Sequence, residues 1–358
     1  MWYNANKQRG EKMIKATSLF SCVGIAETYL ERNGINVVVA NELLKERANF
    51  YQWLYPSANM IAGDITDQEV FEKVVEASLK EGIDLVIATP PCQGMSVAGK
   101  MDENDPRNSL IIKAIEFIKR TNPTNALIEN VPTMLKTYIV VNNERILIKD
   151  YIQRELGEIY NISFNILNAA DYGTAQVRKR AITLLSKHRI WEIPEKQCQI
   201  TVEEAIGDLP SLEAGQRSEI PFHNAPKHND KHILWMKHTP TGKTAFDNTI
   251  YFPQKDDGTR IKGFATTYKR MDWDRPAPTI TMCNGAISSQ NNVHPGRLLP
   301  DGTYSDARVL TLLELFRIMG LPDDWNVPEW ASENLIRKVI GEGIPPHLIE
   351  AIISTMPR

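Results

Sequence analysis

Short apolar runs recur along the first half of the chain: ATSLF (16–20), INVVVA (35–40), NMIAG (59–63), DLVIAT (84–89), NALIEN (125–130) and RAITLLS (180–186). Their length and β-branched content predict strands. Between several of them lie helical patterns, among them DQEVFEKVVEASLKEG (67–82) and NSLIIKAIEFIKR (108–120). Strand and helix in alternation predict an α/β fold with a doubly wound, mostly parallel sheet. In such sheets ligands bind beyond the carboxyl ends of the strands. The pattern changes after residue 186. Residues 187–274 are rich in Pro, Gly, Asn, His and Lys, with only short apolar runs, which predicts a smaller, loop-rich domain. Helical character returns at LTLLELFRIMG (310–320), SENLIRKVI and LIEAII. The expected division is therefore 1–186, 187–274, and a remainder, 275–358, that links the domains and returns to the first; the second domain would then be an insertion.

Composition narrows this only slightly. A chain of 358 residues is comfortable for two domains and needs no staples. The four cysteines, Cys22, Cys92, Cys198 and Cys283, are widely separated and form no CxxC pair, so neither a zinc motif nor a disulfide framework is expected. A reducing, cytoplasmic setting fits that usage. No run approaches the roughly 20 apolar residues of a membrane span, and the start of the chain lacks the apolar core of a signal peptide. A net charge of −3 does not announce a nucleic-acid binder, but a local basic face is enough for phosphate contacts. Residues 176–190 hold Arg178, Lys179, Arg180, Lys187 and Arg189 and no acid. A solvated surface is the plain alternative for such a run.

Four local patterns carry chemistry. In DLVIATPPCQGMS (84–96) a strand ends in Pro90-Pro91 and then Cys92. Consecutive prolines hold the backbone extended, so the cysteine projects rigidly toward a ligand site. NALIENVP (125–132) puts Glu129 at another strand end, where a surface carboxylate is the plain alternative. AQVRKR (175–180) alternates Gln176, Arg178 and Arg180, as on one face of a strand; two same-facing arginines suit phosphate or carbonyl oxygens. A solvent-facing edge strand is the alternative there. Finally, SLFSCVGIAE (18–27) holds Gly24 at a tight turn, Glu42 ends the second strand where ribose hydroxyls would lie, and Asp64 in GDI (63–65) ends the third, suited to an adenine amino group.

In this order the blocks resemble the DNA cytosine-C5 methyltransferase family of bacterial or phage restriction–modification systems: SLFSCVG, NELLKE, GDI, PPCQGMS, ENVP, AQVRKR, RVLTLLELFRIMGLPDDW (308–325) and IGEGIPP (340–346). The resemblance covers nearly the whole chain. It implies the class I S-adenosylmethionine-dependent methyltransferase fold with a target-recognition domain at 187–274. It also implies a base-flipping reaction on double-stranded DNA. Cys92 would add to ring carbon 6 of the extruded cytosine, and carbon 5 would take the methyl group, leaving S-adenosylhomocysteine. Glu129, protonated in the closed site, would hold ring nitrogen 3 and the amino group. Arg178 and Arg180 resemble the clamp on the cytosine carbonyl and adjacent backbone. For the cofactor the resemblance implies Phe20, Gly24, Glu42, Asp64, Ile65, Pro90 and Gly341. For DNA it implies Gln93, Ser96, Gln176 and Lys179, with Lys227 and Lys231 in the recognition domain. Residues 93–107 resemble a loop that closes over DNA, with Gly94 and Gly99 as hinges.

Two positions depart from the family pattern. Cys22 stands where the first glycine of the cofactor turn is usual, and Gly341-Glu342-Gly343 replaces the usual GNS. In the recognition region His223, His228, His232 and His238 accompany Lys227, Lys231, Lys237 and Lys243, which suggests contacts to phosphates and base edges rather than zinc. The expected setting is a cytoplasmic enzyme, monomeric, without membrane association, with a cognate restriction endonuclease as a possible companion and no stable complex. Methylation of a transfer RNA is the nearest alternative; an inactive DNA-binding homologue would be expected to lack Cys92 or Glu129. A nicotinamide dehydrogenase would want GxGxxG after the first strand, which is missing.

Overall fold

The computed structural model describes residues 13–91 and 110–358. These form two compact units, one made of residues up to 168 with 179–196 and 348–358, the other of 169–178 and 197–347.

The first unit is built on a sheet of β1 (Ile14–Leu19), β2 (Ile35–Glu42), β3 (Asn59–Ala62), β4 (Leu85–Ala88), β5 (Asn125–Asn130), β8 (Asn161–Asn168) and β9 (Lys179–Ser186), in the order β3-β2-β1-β4-β5-β9-β8. Neighbours from β3 to β5 run parallel, and β9 is antiparallel to both β5 and β8. Each of the predicted strands is present. β4 and β5 are buried along their whole length, as expected for parallel strands covered on both faces. The order reverses between β1 and β4, so the carboxyl ends of β1, β2, β4 and β5 flank the switch point where such sheets bind ligands.

The helices of this unit are α1 (Lys45–Leu54), α2 (Gln68–Glu81), α3 (Leu110–Thr121) and α4 (Ile148–Leu156). The sequence dictates α2 closely. The Asp67 carboxylate caps the amides of Glu69 and Val70, Gly82 ends the helix in the left-handed region, and Phe71, Val74, Val75 and Ser78 fill one buried stripe. Phe71 meets Phe117 of α3 edge to face. Two short strands, β6 (Tyr138–Val141) and β7 (Glu144–Leu147), form a hairpin whose turn residues Asn142 and Asn143 both have positive φ. Trp191 is buried here, its indole N–H donating to the Ile352 carbonyl at 3.1 Å; that anchor keeps residues 187–196 with this unit.

The second unit holds α5 (Val202–Ile206), α6 (Asp230–Lys237), α7 (Leu312–Met319) and α8 (Glu333–Glu342), joined by long irregular segments. The following helix, α9 (Pro346–Ser354), crosses the unit boundary. An apolar cluster of Trp235, Met236, Ala245, Ile287, Val293, Ala307 and Val309 makes one core. Beside the start of α7 lies a buried charge network. Arg308 bonds Asp306 at 2.8 Å and both oxygens of Glu314 at 2.8 and 2.9 Å. Thr311 and Glu314 also form the reciprocal N-terminal cap of α7. Burial pushes Glu314 up, but the charge and hydrogen bonds of Arg308 outweigh it and bring the carboxyl down to about 2. This unit extends well beyond 187–274: residues 275–347 belong to it rather than forming a link. No helix among the described residues is long and apolar enough to cross a membrane.

Candidate active site

The chain leaves β1 through a turn held in an unusual conformation. Phe20, Cys22 and Gly24 have φ of 59°, 50° and 78°. Non-glycine residues such as Phe20 and Cys22 rarely adopt such values; each costs of order 1–3 kcal/mol and persists only where its surroundings enforce it. Here they do. The Cys22 amide donates to Glu42 Oε2 and the Leu44 amide to Glu42 Oε1, both at 2.9 Å. Thr89, just past β4, donates to the Phe20 carbonyl at 3.0 Å, and the Tyr55 hydroxyl donates to the Gly24 carbonyl at 2.7 Å. A Cβ on Gly24 would run into the rings of Tyr55 and Tyr51, so the close approach demands glycine. Cys22, by contrast, occupies its position with a side chain that remains half-buried.

Glu42 is buried, and its two oxygens fix the backbone on both sides of the β1–β2 opening. Asp64 lies exposed beyond β3, with Oδ1 taking the amide and hydroxyl of Thr66 at 2.8 Å each. Ile65 beside it is buried and Phe20 half-buried. This set of acceptors fits a nucleoside: a fixed carboxylate at the end of β2, a second beyond β3, and the apolar side chains of Phe20 and Ile65.

The reaction-bearing strand ends meet at β4, β5 and β9. Antiparallel pairing sets Glu129 opposite Ile182 and Asn130 opposite Ala181, so Arg180, the second residue of β9, lies where β5 ends. Its Nε lies 2.7 Å from Glu129 Oε1, and both side chains are nearly covered. The next residue, Asn130, is 1% exposed and donates from Nδ2 to the Pro90 carbonyl at 2.9 Å. Its Oδ1 accepts the Val131 amide at 2.8 Å. Asn130 thus braces the proline pair that leads to Cys92. Sequence reasoning passed over it, although a polar residue at the end of a buried strand was the signal. Pro90 is buried and Pro91 partly so. Cys92, Gln93, Gly94, Ser96 and Gly99 lie outside the described residues.

The expected alternation of Gln176, Arg178 and Arg180 on one strand face needs correction. β9 begins only at Lys179, and residues 169–178 belong to the second unit. Arg178 is 2% exposed, and its guanidinium donates to the carbonyls of Ile280 (2.9 Å), Gly341 (2.9 Å) and Glu342 (3.1 Å). It holds backbone together, which a carbonyl clamp on substrate could not do with the same donors. Gln176 is fully buried; its amide accepts from the Ile280 N–H at 3.1 Å and contacts the Met319 sulfur, so it is not a surface DNA contact. Gly341 is a glycine for a packing reason: a Cβ there would strike the backbone of Thr281 and Met282. Lys179 is exposed.

In the recognition region Lys227 and Lys231 are exposed, and Lys231 pairs with Asp256. The histidines are mostly structural, which corrects their expected role toward DNA. His223 is fully buried between the Thr311 hydroxyl (3.1 Å) and the Pro210 carbonyl (2.9 Å). His228 accepts the Val309 amide at 3.2 Å, and burial with nearby Arg337 pushes it down to about 4, so it stays neutral. His232 packs against Trp235 and Tyr268, and His238 stacks on Tyr251.

A family model described as C-5 cytosine-specific DNA methylase matches residues 14–358. Type II methyltransferase M1.HgaI of Avibacterium volantium is 53% identical over 348 residues, covering 96% of this chain and 98% of that protein. Type II methyltransferase M.DdeI of Desulfomicrobium norvegicum is 28% identical, covering 89% and 82%. Among solved structures, an E. coli prophage protein described as a DNA modification methyltransferase aligns with a TM-score of 0.69 at 20% identity, covering 96% and 98%. Spodoptera frugiperda DNMT2 aligns at 0.61 and 15%, covering 95% and 99%. The strand order, the nucleoside-fitting turn and the match across almost the whole chain lead to one conclusion: the chain belongs to the C-5 cytosine-specific DNA methylase family and is an S-adenosylmethionine-dependent DNA (cytosine-5-)-methyltransferase of the restriction–modification type.

Proposed function

We propose that Cys92 is the nucleophile of this methyltransferase, that Glu129 and Arg180 hold the extruded cytosine, and that Phe20, Gly24, Glu42, Asp64 and Ile65 hold the cofactor. The observation that carries the proposal is the Glu129–Arg180 pair, 2.7 Å apart at adjoining strand ends, with Asn130 fixing the proline pair that precedes Cys92. A thiolate is a strong nucleophile where neighbouring positive charge favours it. Its addition to ring carbon 6 makes carbon 5 electron-rich. Bound S-adenosylmethionine supplies an electrophilic methyl group for that carbon. Glu129 would meet ring nitrogen 3 and the amino group, and Arg180 the ring carbonyl; preorganised groups of this kind stabilise charge that develops as the ring is attacked. A base then takes the carbon-5 proton, the ring double bond re-forms, and the bond from carbon 6 to the Cys92 sulfur breaks to release the thiolate. Glu42 would accept hydrogen bonds from the ribose hydroxyls and Asp64 from the adenine amino group. Pro90 contributes through the rigid approach to Cys92.

DNA is the substrate, and we infer that residues 187–274, with Lys227 and Lys231, read its sequence together with Gln93, Ser96 and Lys179 near the reacting base. We infer also that the enzyme works in the cytoplasm as a monomer. The relatives are named type II methyltransferases, and a cognate endonuclease acting on the same sequence, without a stable complex, is part of the same inference. The test is transfer of labelled methyl to a panel of duplex DNAs of varied sequence, with transfer RNA alongside. Transfer confined to duplexes sharing one sequence supports the proposal; transfer to RNA alone would overturn it.

A further inference from the structure

Among the described residues of the first unit, the mechanism leaves the buried acid Glu27 unused. Glu27 ends the single helical turn Ile25–Glu27 that follows Gly24, and it is 4% exposed. Its amide donates to the Gly24 carbonyl at 2.9 Å, so Glu27 is part of the turn itself. Its carboxylate receives the hydroxyl of Tyr51. Tyr51 is fully buried on α1, the helix that starts just after Glu42. One turn later on the same segment stands Tyr55, whose ring lies 4.9 Å from that of Tyr51 and whose hydroxyl donates to the Gly24 carbonyl.

The turn therefore hangs between two supports. On one side Glu42 accepts the Cys22 amide. On the other the two tyrosines lie beneath Gly24, and Glu27 ties the far end of the turn to one of them. A backbone with three positive φ values in five residues keeps its shape only while such supports persist. A buried carboxylate between a glycine turn and a helix is costly as mere filler, since an apolar residue would pack there without loss of hydration. Burial raises the Glu27 carboxyl to about 7, tempered by hydrogen bonds from Ser18 and Tyr51; charged or neutral, it keeps the tyrosine as partner.

We propose that Glu27 and Tyr51 form a brace that sets cofactor affinity by locking the Phe20–Gly24 turn against α1. Glu27 is a positioning residue: it acts through the turn and touches neither cofactor nor base. The inference rests on the assignment of that turn to S-adenosylmethionine.

The test uses the full-length enzyme and S-adenosylhomocysteine as the probe, titrated by calorimetry, beside turnover at saturating S-adenosylmethionine. Tyr51→Phe removes one hydroxyl and keeps the ring, so it should fold; it should weaken product binding by roughly 5- to 50-fold, the range for an unpaired buried polar group. Saturated turnover should stay within about threefold, because the brace acts on binding. Glu27→Gln, whose amide oxygen can still accept the tyrosine hydroxyl, should bind nearly as the parent does, and Glu27→Ala should match Tyr51→Phe. Glu42→Ala separates the two levels of the argument. If Glu42→Ala weakens binding while Tyr51→Phe and Glu27→Ala bind within twofold of the parent, the brace is refuted and the cofactor assignment stands. If Glu42→Ala also leaves binding unchanged, the cofactor assignment itself fails, and the brace with it. A Tyr51→Phe effect confined to saturated turnover would refute the brace as well.

Discussion

Arg178 and Arg180 look alike in QVRKR, yet the structure gives them different work, and matched lysine substitutions should separate them. Arg178 is buried and its guanidinium serves three backbone carbonyls at 2.9, 2.9 and 3.1 Å. A lysine has no fork and cannot reach all three. Hydrogen bonds to a charged group are worth about 1.5–3 kcal/mol each, and stranded buried carbonyls cost further. Losing one or two of the three places Arg178→Lys at about 2–4 kcal/mol less stable. Arg180→Lys keeps a positive charge within reach of Glu129 and strands no backbone carbonyl network, so it should cost less stability than Arg178→Lys. It loses the planar donors proposed above to meet the cytosine ring, and removal of one preorganised donor typically lowers turnover about 10²–10³-fold. The assay is urea unfolding of each variant beside single-turnover methylation at saturating cofactor, below the denaturant range. Arg178→Lys should shift the unfolding midpoint and leave the turnover of its folded fraction within about tenfold. Arg180→Lys should do the reverse. If Arg178→Lys were as stable as the parent and as slow as Arg180→Lys, both arginines would act on substrate and the structural role given to Arg178 would be wrong.

Other consequences follow from the same geometry. Glu42→Gln should weaken S-adenosylhomocysteine binding by roughly 5- to 150-fold in calorimetry, because one anchored amide loses its acceptor, whereas Glu129→Gln should mainly slow saturated single turnover; the opposite assignment would reverse the two halves of the site. The Glu27 carboxyl is raised from 4.5 to about 7, so its contribution to stability is full below about 4.5 and is lost as pH rises through about 7. Relative to Glu27→Gln, the parent should therefore lose about 2–3 kcal/mol of unfolding free energy between pH 5 and 8, at 1.36 kcal/mol per unit; parallel profiles would contradict it. Arg308→Met should destabilise the second unit by about 3–5 kcal/mol in denaturant unfolding, since it strands Asp306 and Glu314 without counter-charge; a neutral result would mean those acids are solvated on demand.

The central sheet was legible because its inner strands are short, largely apolar runs bounded by turn residues, and the acids at the ends of β2 and β5 stand out against that background. β8 was not, because NISFNILN is polar at four of its eight positions and lies at the sheet edge, where only one neighbour needs an apolar side chain. The β6–β7 hairpin carried its own signal, Asn142-Asn143 between two short β-branched or charged runs, in the two-residue turn that requires positive φ at both positions. The second unit was placed too narrowly for a different reason. Composition reports loop content, but unit membership is decided by burial: Trp191 keeps residues before 197 with the sheet, while Arg308 and Glu314 make residues near 310 part of the other core. Periodicity also misassigned Gln176 and Arg178. Their alternation with Arg180 is real in sequence, but the strand begins at Lys179, and before it each side chain is oriented by the second unit.

The proposed chemistry turns on a covalent bond between Cys92 and the target cytosine. A duplex with 5-fluorocytosine at the target position cannot lose fluorine as it would a proton, so an adduct formed during methylation should persist. The enzyme, incubated with that duplex and S-adenosylmethionine, should give a slower band in denaturing electrophoresis, and digestion followed by mass spectrometry should find methylated fluorocytosine on the peptide bearing Cys92. Cys92→Ser should give no band while still binding S-adenosylhomocysteine. An adduct on Cys22, Cys198 or Cys283, or no adduct from an enzyme that methylates the unmodified duplex, would contradict the account.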